Sequence, residues 1–355
     1  MTDRQTLAVI IPVYNGAKYL ETSVKSVLTQ PCPNVHVVIV NDGSTDNSLE
    51  IANSISTKDS RVTVLTQSNR GVSAARNHGI EHCIEKKYQY IAFLDSDDIW
   101  VNGFYTDELQ KQIFAENRSA YQFSMYFGNN NLTRVNTLYG KDELKAGRSV
   151  RFGQHFCSFI YSAEILRTYN IRFPEGIRVQ EDEVFRYLFM TFCDSVRSFR
   201  FPIFVYRSNV KSVLHQKFDV TKRYFGDIIP AWTWCKNELE KLHTQNNKIT
   251  VADIGGCSTM CKTFLAEYIA SACEQGLSVK YIFEQISKPE YASLYSNPDI
   301  WVDSKSLKLW TDFFNKPRRI WIKYRIKGIV IRIAKVLRNT PLVQFKRYPE
   351  KFYNE

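Results

Sequence analysis

The sequence predicts an α/β protein built on an open, Rossmann-like sheet. Two observations carry that expectation. Continuous apolar runs of strand length recur at residues 7–13, 35–41, 61–66 and 89–94, the pattern of strands covered on both faces. Between them lie segments of helical spacing, such as Leu20, Val24, Val27 and Leu28, joined by short turns. A third observation places a site. The carboxyl ends of those runs carry Tyr14, Asp42 and the cluster Asp95-Ser96-Asp97-Asp98, and open α/β sheets bind ligands outside the carboxyl ends of their strands.

Along the chain, Tyr14-Asn15-Gly16 reads as a turn and Asp42-Gly43-Ser44-Thr45-Asp46 as a second one, with Ser44 or Thr45 available to cap the next helix. Residues 71–85 predict a helix. From 104 to 160 the pattern is less regular: 121–127 and 156–161 read as strands, and Asn129-Asn130-Asn131 and Gly140 as loops. A helix is expected over 162–170. Glu181-Asp182-Glu183 opens another, with Val184, Phe185, Leu188 and Phe192 as its apolar face. Residues 199–207 predict a strand, and helical periodicity fills 220–315. The expected organisation is therefore an α/β domain at 1–217 with halves at 1–100 and 101–217, a helical region at 218–315 and a basic tail at 316–355.

Bulk properties narrow the class. The chain has 355 residues and a net charge of +11, with the excess in one place. Residues 316–347 hold eleven Lys and Arg and no acid. There, Ile322, Ile326, Ile329, Ile333 and Val336 share a stripe, with Lys323, Lys327, Arg332 and Lys335 off it. A basic amphipathic helix of this kind suits an anionic membrane surface; the plainer alternative is a helix docked on the body. No groove-reading or RNA-binding motif speaks for nucleic acid. Eight scattered cysteines without metal-ligand spacing are expected to be free thiols in a reducing compartment. No apolar stretch reaches the roughly 18 residues of a membrane span, and residues 1–20 hold no signal-peptide-like run.

Three carboxylates within four residues at a strand end need solvent, donors or a cation. Magnesium typically binds one or two carboxylates plus substrate phosphates, so Asp95-x-Asp97 is a candidate metal and nucleotide site. Each residue alone has a plainer reading. Tyr14 covers an edge, Asp42 forms a turn, and an acidic first turn suits a helix dipole.

Taken in order, the motifs resemble a known family. They are Pro12-Val13-Tyr14-Asn15, Val40-Asn41-Asp42-Gly43-Ser44-Thr45-Asp46, Asn69-Arg70-Gly71-Val72-Ser73-Ala74-Ala75-Arg76-Asn77-x-Gly79, Leu94-Asp95-Ser96-Asp97-Asp98 and Glu181-Asp182-x-x-Phe185. Over residues 6 to about 215 the chain resembles the inverting glycosyltransferases of family 2, with the GT-A fold, and bacterial envelope-polysaccharide members in particular. That resemblance implies a nucleotide-sugar donor, expected to be a UDP-sugar, and a divalent cation, Mg2+ or Mn2+. The acceptor would be a hydroxyl of a glycan or lipid-linked glycan at the inner face of the plasma membrane. By the same resemblance Tyr14 stacks on the base, Asp42 accepts a hydrogen bond from it and Pro12 shapes the strand end. Arg76 helps hold the ribose or phosphates, Asp95 faces the ribose, Asp97 binds the cation and Asp182 is the general base. Arg207, Lys211 and His215 fall where the family has a loop over the diphosphate. One departure is Asn41, where the family often has Asp.

Two other classes compete. A non-catalytic sugar-nucleotide-binding or scaffold protein on the same fold would need neither Asp97 nor the Glu181-Asp182 pair. His78-x-x-Glu81-His82 matches an inverted zinc-peptidase pattern, but lies inside the Arg76-to-Gly79 motif.

Overall fold

The computed structural model describes residues 6–128, 133–135, 143–145, 155–207, 219–245, 248–288 and 304–338. The chain divides into two compact units. One comprises Met1–Lys217 with Pro230–Cys257, the other Phe218–Ile229 with Ser258–Glu355.

The first unit is built on one mixed sheet. Strands β1 (Leu7–Val13), β2 (Val35–Asp42), β3 (Val62–Gln67) and β4 (Tyr90–Phe93) run parallel in the order β3-β2-β1-β4. Every residue of β1 is buried, as a run without polar alternation requires. Helices α1 (Ala17–Leu28), α2 (Ser48–Lys58) and α3 (Val72–Glu85) connect these strands. Because β2 lies on one side of β1 and β4 on the other, the chain reverses direction across the sheet at β1. The crevice at the carboxyl ends of β1 and β4 is the topological switch point where ligands bind in such sheets.

Beyond β4 the sheet becomes mixed. After β5 (Ile99–Trp100) and α4 (Asp107–Glu116) come β6 (Ala120–Phe127), β7 (Thr133–Val135) and β8 (Glu143–Lys145). The order continues β4-β9-β6-β10-β5, where β9 is Phe159–Ser162 and β10 is Ser195–Tyr206. Strand β9 is antiparallel to β4 and β6, while β10 runs parallel to β6. Helix α5 (Ala163–Thr168) follows β9, and α6 (Glu181–Thr191) precedes β10.

Two expectations change in this half. The less regular region contains α4, whose start was legible: the Thr106 side chain accepts from the Leu109 amide, and Asp107 and Glu108 occupy the first turn. Residues 156–161 are not one strand, since Phe156–Ser158 forms a 3-10 turn capped by His155 before β9 begins. The expected loops at 129–131 and 140, and the segment holding Lys211 and His215, lie outside the described residues.

Helix α7 (Ile229–His243) from Pro230 onward and the start of α8 (Val251–Gln275) belong to the first unit, although the sequence groups them with the C-terminal helices. The second unit holds the rest of α8, α9 (Val279–Ile286), α10 (Ser304–Asn315) and α11 (Pro317–Arg338). In it α11 packs through Trp321 and Gly328. The indole donates to the Leu277 carbonyl at 2.7 Å, and a Cβ at Gly328 would come within 2.6 Å of the Glu274 carbonyl oxygen. That contact leaves the neighbouring stripe of Ile322, Ile326 and Ile329 exposed. Among the described residues no helix is long and apolar enough to cross a membrane.

Candidate active site

The first wall of the site is made of two loops stitched together by short polar side chains. After β1, Asn15 adopts a left-handed backbone with φ of 52°, which asparagine tolerates better than most residues. Its side-chain carbonyl accepts from the Thr45 amide at 2.8 Å and the Asp46 amide at 3.3 Å, while its own amide donates to Ser44 Oγ at 3.0 Å. The Gly16 amide donates to Ser48 Oγ, and the Ala17 amide to Asp46. Ser44 and Thr45 therefore do not cap α2, which starts at Ser48 after Asn47. They tie the β1 loop to the β2 loop instead. Tyr14, half exposed, stands at the rim of this wall, and Pro12 is buried in β1 opposite Val40.

Asp42, almost fully buried, holds a third loop. One carboxylate oxygen accepts from Gln67 Nε2 at 2.8 Å and the Arg70 amide at 2.9 Å, and the other from the Gly71 amide at 2.9 Å. Gly43 has φ of 69°, and a Cβ there would meet the Asn69 amide nitrogen at 2.7 Å, so only glycine fits that close approach. Asn41, the departure from the family pattern, accepts from the Ser44 amide at 3.2 Å. That contact needs an acceptor oxygen, not a charge.

At the switch point the aspartate cluster is resolved into three environments. Asp95 pairs with Arg76 at 2.9 Å. Asp98 is buried, and one of its oxygens accepts from the Arg207 amide at 2.8 Å. Burial, then the charges of Asp95 and Asp97, pushes its carboxyl up to about 9, which leaves it neutral at physiological pH. Asp97, half-buried, lies between them in sequence, and its carbonyl accepts from Arg207 Nε. The Arg207 guanidinium also lies 4.9 Å from the Tyr19 ring centre. Arg207, expected at the diphosphate, thus braces the aspartate turn.

The residue that joins the two halves of the site is Arg76. Its guanidinium, 4% exposed, bonds Asp95 on one side and Glu181 at 3.2 Å on the other. It rests 4.4 Å from the Phe156 ring centre and 5.1 Å from that of Phe173. Charge-assisted bonds in such an apolar setting are stronger than at a surface. The rest of its motif acts locally. Asn77 donates to the Phe173 carbonyl at 3.0 Å and accepts from the Phe173 amide at 2.8 Å. Gly79 lets α3 approach β1, because a Cβ there would stand 2.6 Å from Ile10 Cγ2.

Helix α6 supplies the opposing acids. Burial, and then the charge of Asp182, pushes Glu181 up to about 7 against the pull of Arg76. Asp182, half-buried, accepts from the Glu183 amide at 2.8 Å, and Glu183 pairs with Arg186. His155 lies in the field of Asp95 and Asp182, yet burial holds its pKa below the usual value. Its Nδ1 accepts from the Cys157 amide at 3.3 Å, so the other ring nitrogen carries the proton.

The structure thus brings Asp95 and the start of α6 together through Arg76, from positions over eighty residues apart. Sequence reasoning missed the bracing roles of Arg207, Asn15 and Asp98. It also missed Gln180, whose left-handed backbone just before α6 has no composition signal. The peptidase pattern finds no support. Glu81 is paired with Arg172 and His78 Nδ1 lies 3.0 Å from Gln67 Oε1. Among the described residues no group of three His, Cys, Asp or Glu side chains is arranged to hold a metal alone.

Comparison with solved structures gives the fold. The chain superimposes on Staphylococcus aureus TarS residues 1–349, crystallised with UDP, with a TM-score of 0.57 at 17% identity, over 95% of this chain and 93% of that one. The fold is GT-A, and the protein is a glycosyltransferase. Residues 8–169 match the model for glycosyl transferase family 2. It is 28% identical to the uncharacterised glycosyltransferase EpsJ of Bacillus subtilis over 79% of this chain and 82% of EpsJ. It is 33% identical to the uncharacterised Escherichia coli glycosyltransferase YibD over 51% of this chain, spanning about half of that relative (55%).

Proposed function

We propose that the protein transfers a sugar from a UDP-sugar to a hydroxyl of a glycan or lipid-linked glycan, with inversion, and that Asp182 is the general base. The observation that carries this reading is Arg76, bonded at once to Asp95 and Glu181. It supports a single cleft flanked by the aspartate turn and the first turn of α6. In the step we envisage, the acceptor oxygen attacks the anomeric carbon and its proton passes to Asp182. The anomeric carbon–oxygen bond breaks, and its electron pair leaves with UDP. A positioned base typically contributes about 10²–10⁴-fold.

Residues 1–100 would form the nucleotide-binding half and 101–217 the acceptor half. In the former, Tyr14 would stack on the base beside Asp42, while Asp95 would face the ribose. Pro12 would set the strand end. A divalent cation would sit on Asp97 together with the diphosphate, where it neutralises charge on the leaving group. The chemistry fits that role, since Asp97 is a half-buried carboxylate on the turn that also holds Asp95 and Asp98. Arg76 would help hold the ribose or phosphates, and its burial between Asp95 and Glu181 supports an organising role for it as well. UDP as the nucleotide draws support from TarS, crystallised with UDP and with UDP-GlcNAc.

The exposed Ile322, Ile326 and Ile329, with Lys323 exposed among them, support an in-plane contact of α11 with an anionic membrane. The protein would then act at the inner face of the plasma membrane, in synthesis of a bacterial surface polysaccharide. Sedimentation with phosphatidylglycerol vesicles tests this. Equal binding by wild type and Ile322→Glu/Ile326→Glu would sink it.

The catalytic reading is tested by UDP release from UDP-glucose, UDP-galactose and their N-acetyl forms, with Mg2+ or Mn2+. Asp182→Asn is expected to abolish turnover while UDP still binds, and Asp97→Ala to remove the metal-dependent part of UDP binding. Full turnover by Asp182→Asn would overturn the assignment.

A further inference from the structure

Asp182 follows closely on a residue whose backbone lies where only glycine goes freely. Gln180 has φ of 71° and ψ of 8°, and its carbonyl accepts the first helical bond of α6, from the Val184 amide at 3.0 Å. A left-handed conformation at a side chain of this size is strained and persists only when its surroundings over-determine it.

The compensating contact comes from α7. The fully buried indole of Trp232 donates through Nε1 to Gln180 Oε1 at 3.2 Å. The ring is itself fixed. Tyr187 of α6 packs against it edge-on at 5.4 Å, and the Tyr187 hydroxyl donates to the Asp253 carbonyl at 2.8 Å. Gly256 leaves room for that hydroxyl, because a Cβ there would lie 2.1 Å from it. All these residues belong to the first unit.

We infer that Trp232 is a positioning residue for the general base: its indole N–H latches Gln180 in the left-handed turn that sets where the first turn of α6, and so Asp182, points. The inference rests on the reading of Asp182 as base, yet half of its test does not. Trp232→Phe keeps most of the ring and removes the N–H. Measured as UDP release from whichever donor of the panel turns over, its kcat falls about tenfold while the donor KM stays within about twofold. In hydrogen exchange, amides of residues 181–186 exchange about tenfold faster, whereas those of β1 do not change.

Glycine needs no latch at position 180. Gln180→Gly added to Trp232→Phe therefore restores exchange and kcat to within about threefold of wild type. A merely structural loss of packing would not be repaired by glycine elsewhere. Wild-type kcat or wild-type exchange in Trp232→Phe overturns the inference, as does a double variant no better than the single one. Asp182→Asn is run alongside. If it turns over normally the base assignment fails, and the exchange data alone then decide whether the latch exists.

Discussion

The strand-end loops and the start of α6 in this glycosyltransferase are built by opposite strategies. The loops at the strand ends are held by short side chains bonding nearby backbone: Asn15 to residues 45 and 46, and Asp42 to residues 70 and 71. Each bond is local to two adjacent loops of a rigid parallel sheet. The start of α6 is held by contacts from distant parts of the first unit, Arg76 on one side and Trp232 on the other. Surface loops on a scaffold can be fixed piecemeal, with each bond contributing modestly. A cluster of buried acids cannot, because a single missing cation leaves several charges unpaired.

The contrast can be broken from its strongest point. Arg76→Met keeps length and apolar bulk but strands Asp95 and Glu181. Breaking a buried pair costs about 3–5 kcal/mol, so the expected result is a large drop in melting temperature with loss of turnover. A melting temperature near that of wild type would show that the two sides of the site do not depend on this pairing.

A smaller loss is expected in the strand-end loops. In Asp42→Asn the amide group faces a backbone N–H that the carboxylate accepted, at a cost of about 1–3 kcal/mol. UDP affinity should fall while turnover at saturating donor is largely kept, which titration calorimetry and initial rates would separate. Unchanged UDP affinity would argue that the loop at 67–71 is irrelevant to the donor.

The mildest test is by pH. Glu181 is raised by burial and by Asp182 to about 7 from an ordinary value of 4.5. The stability this group contributes is thus full below about 4.5 and is lost as pH climbs through 7. Glu181→Gln is neutral throughout and keeps an acceptor for Arg76. Its melting temperature relative to wild type should rise by about 2–4 °C between pH 5 and pH 8. A difference that does not change with pH would place the titration elsewhere.

Much of the fold was legible because its signals are short-ranged. β1 and β2 read as buried strands from seven or eight consecutive residues, and the structure buries them as predicted. Helix α3 likewise follows from its local pattern. The failures also have a local reason. α4 was passed over although Thr106 and two acids marked its start, because its apolar stripe is brief. The strand expected at 156–161 begins with a 3-10 turn, since His155 caps that turn from outside the run. In α11 the isoleucine stripe promised an interface. The helix packs instead through the adjacent Trp321 and Gly328, which periodicity alone does not rank.

By itself the sequence determined which side chains stand at the ends of the parallel strands, since a two-residue alternation or its absence fixes strand and exit point within a few positions. The motif order also pointed to the family. Only the tertiary structure decided what those side chains do to one another: that Arg76 faces two acids, that Asp98 is buried and neutral, and that a tryptophan fifty residues on holds the turn before Asp182. Charge state and strain depend on burial and on partners brought in by folding, and neither is written at any one position in the chain.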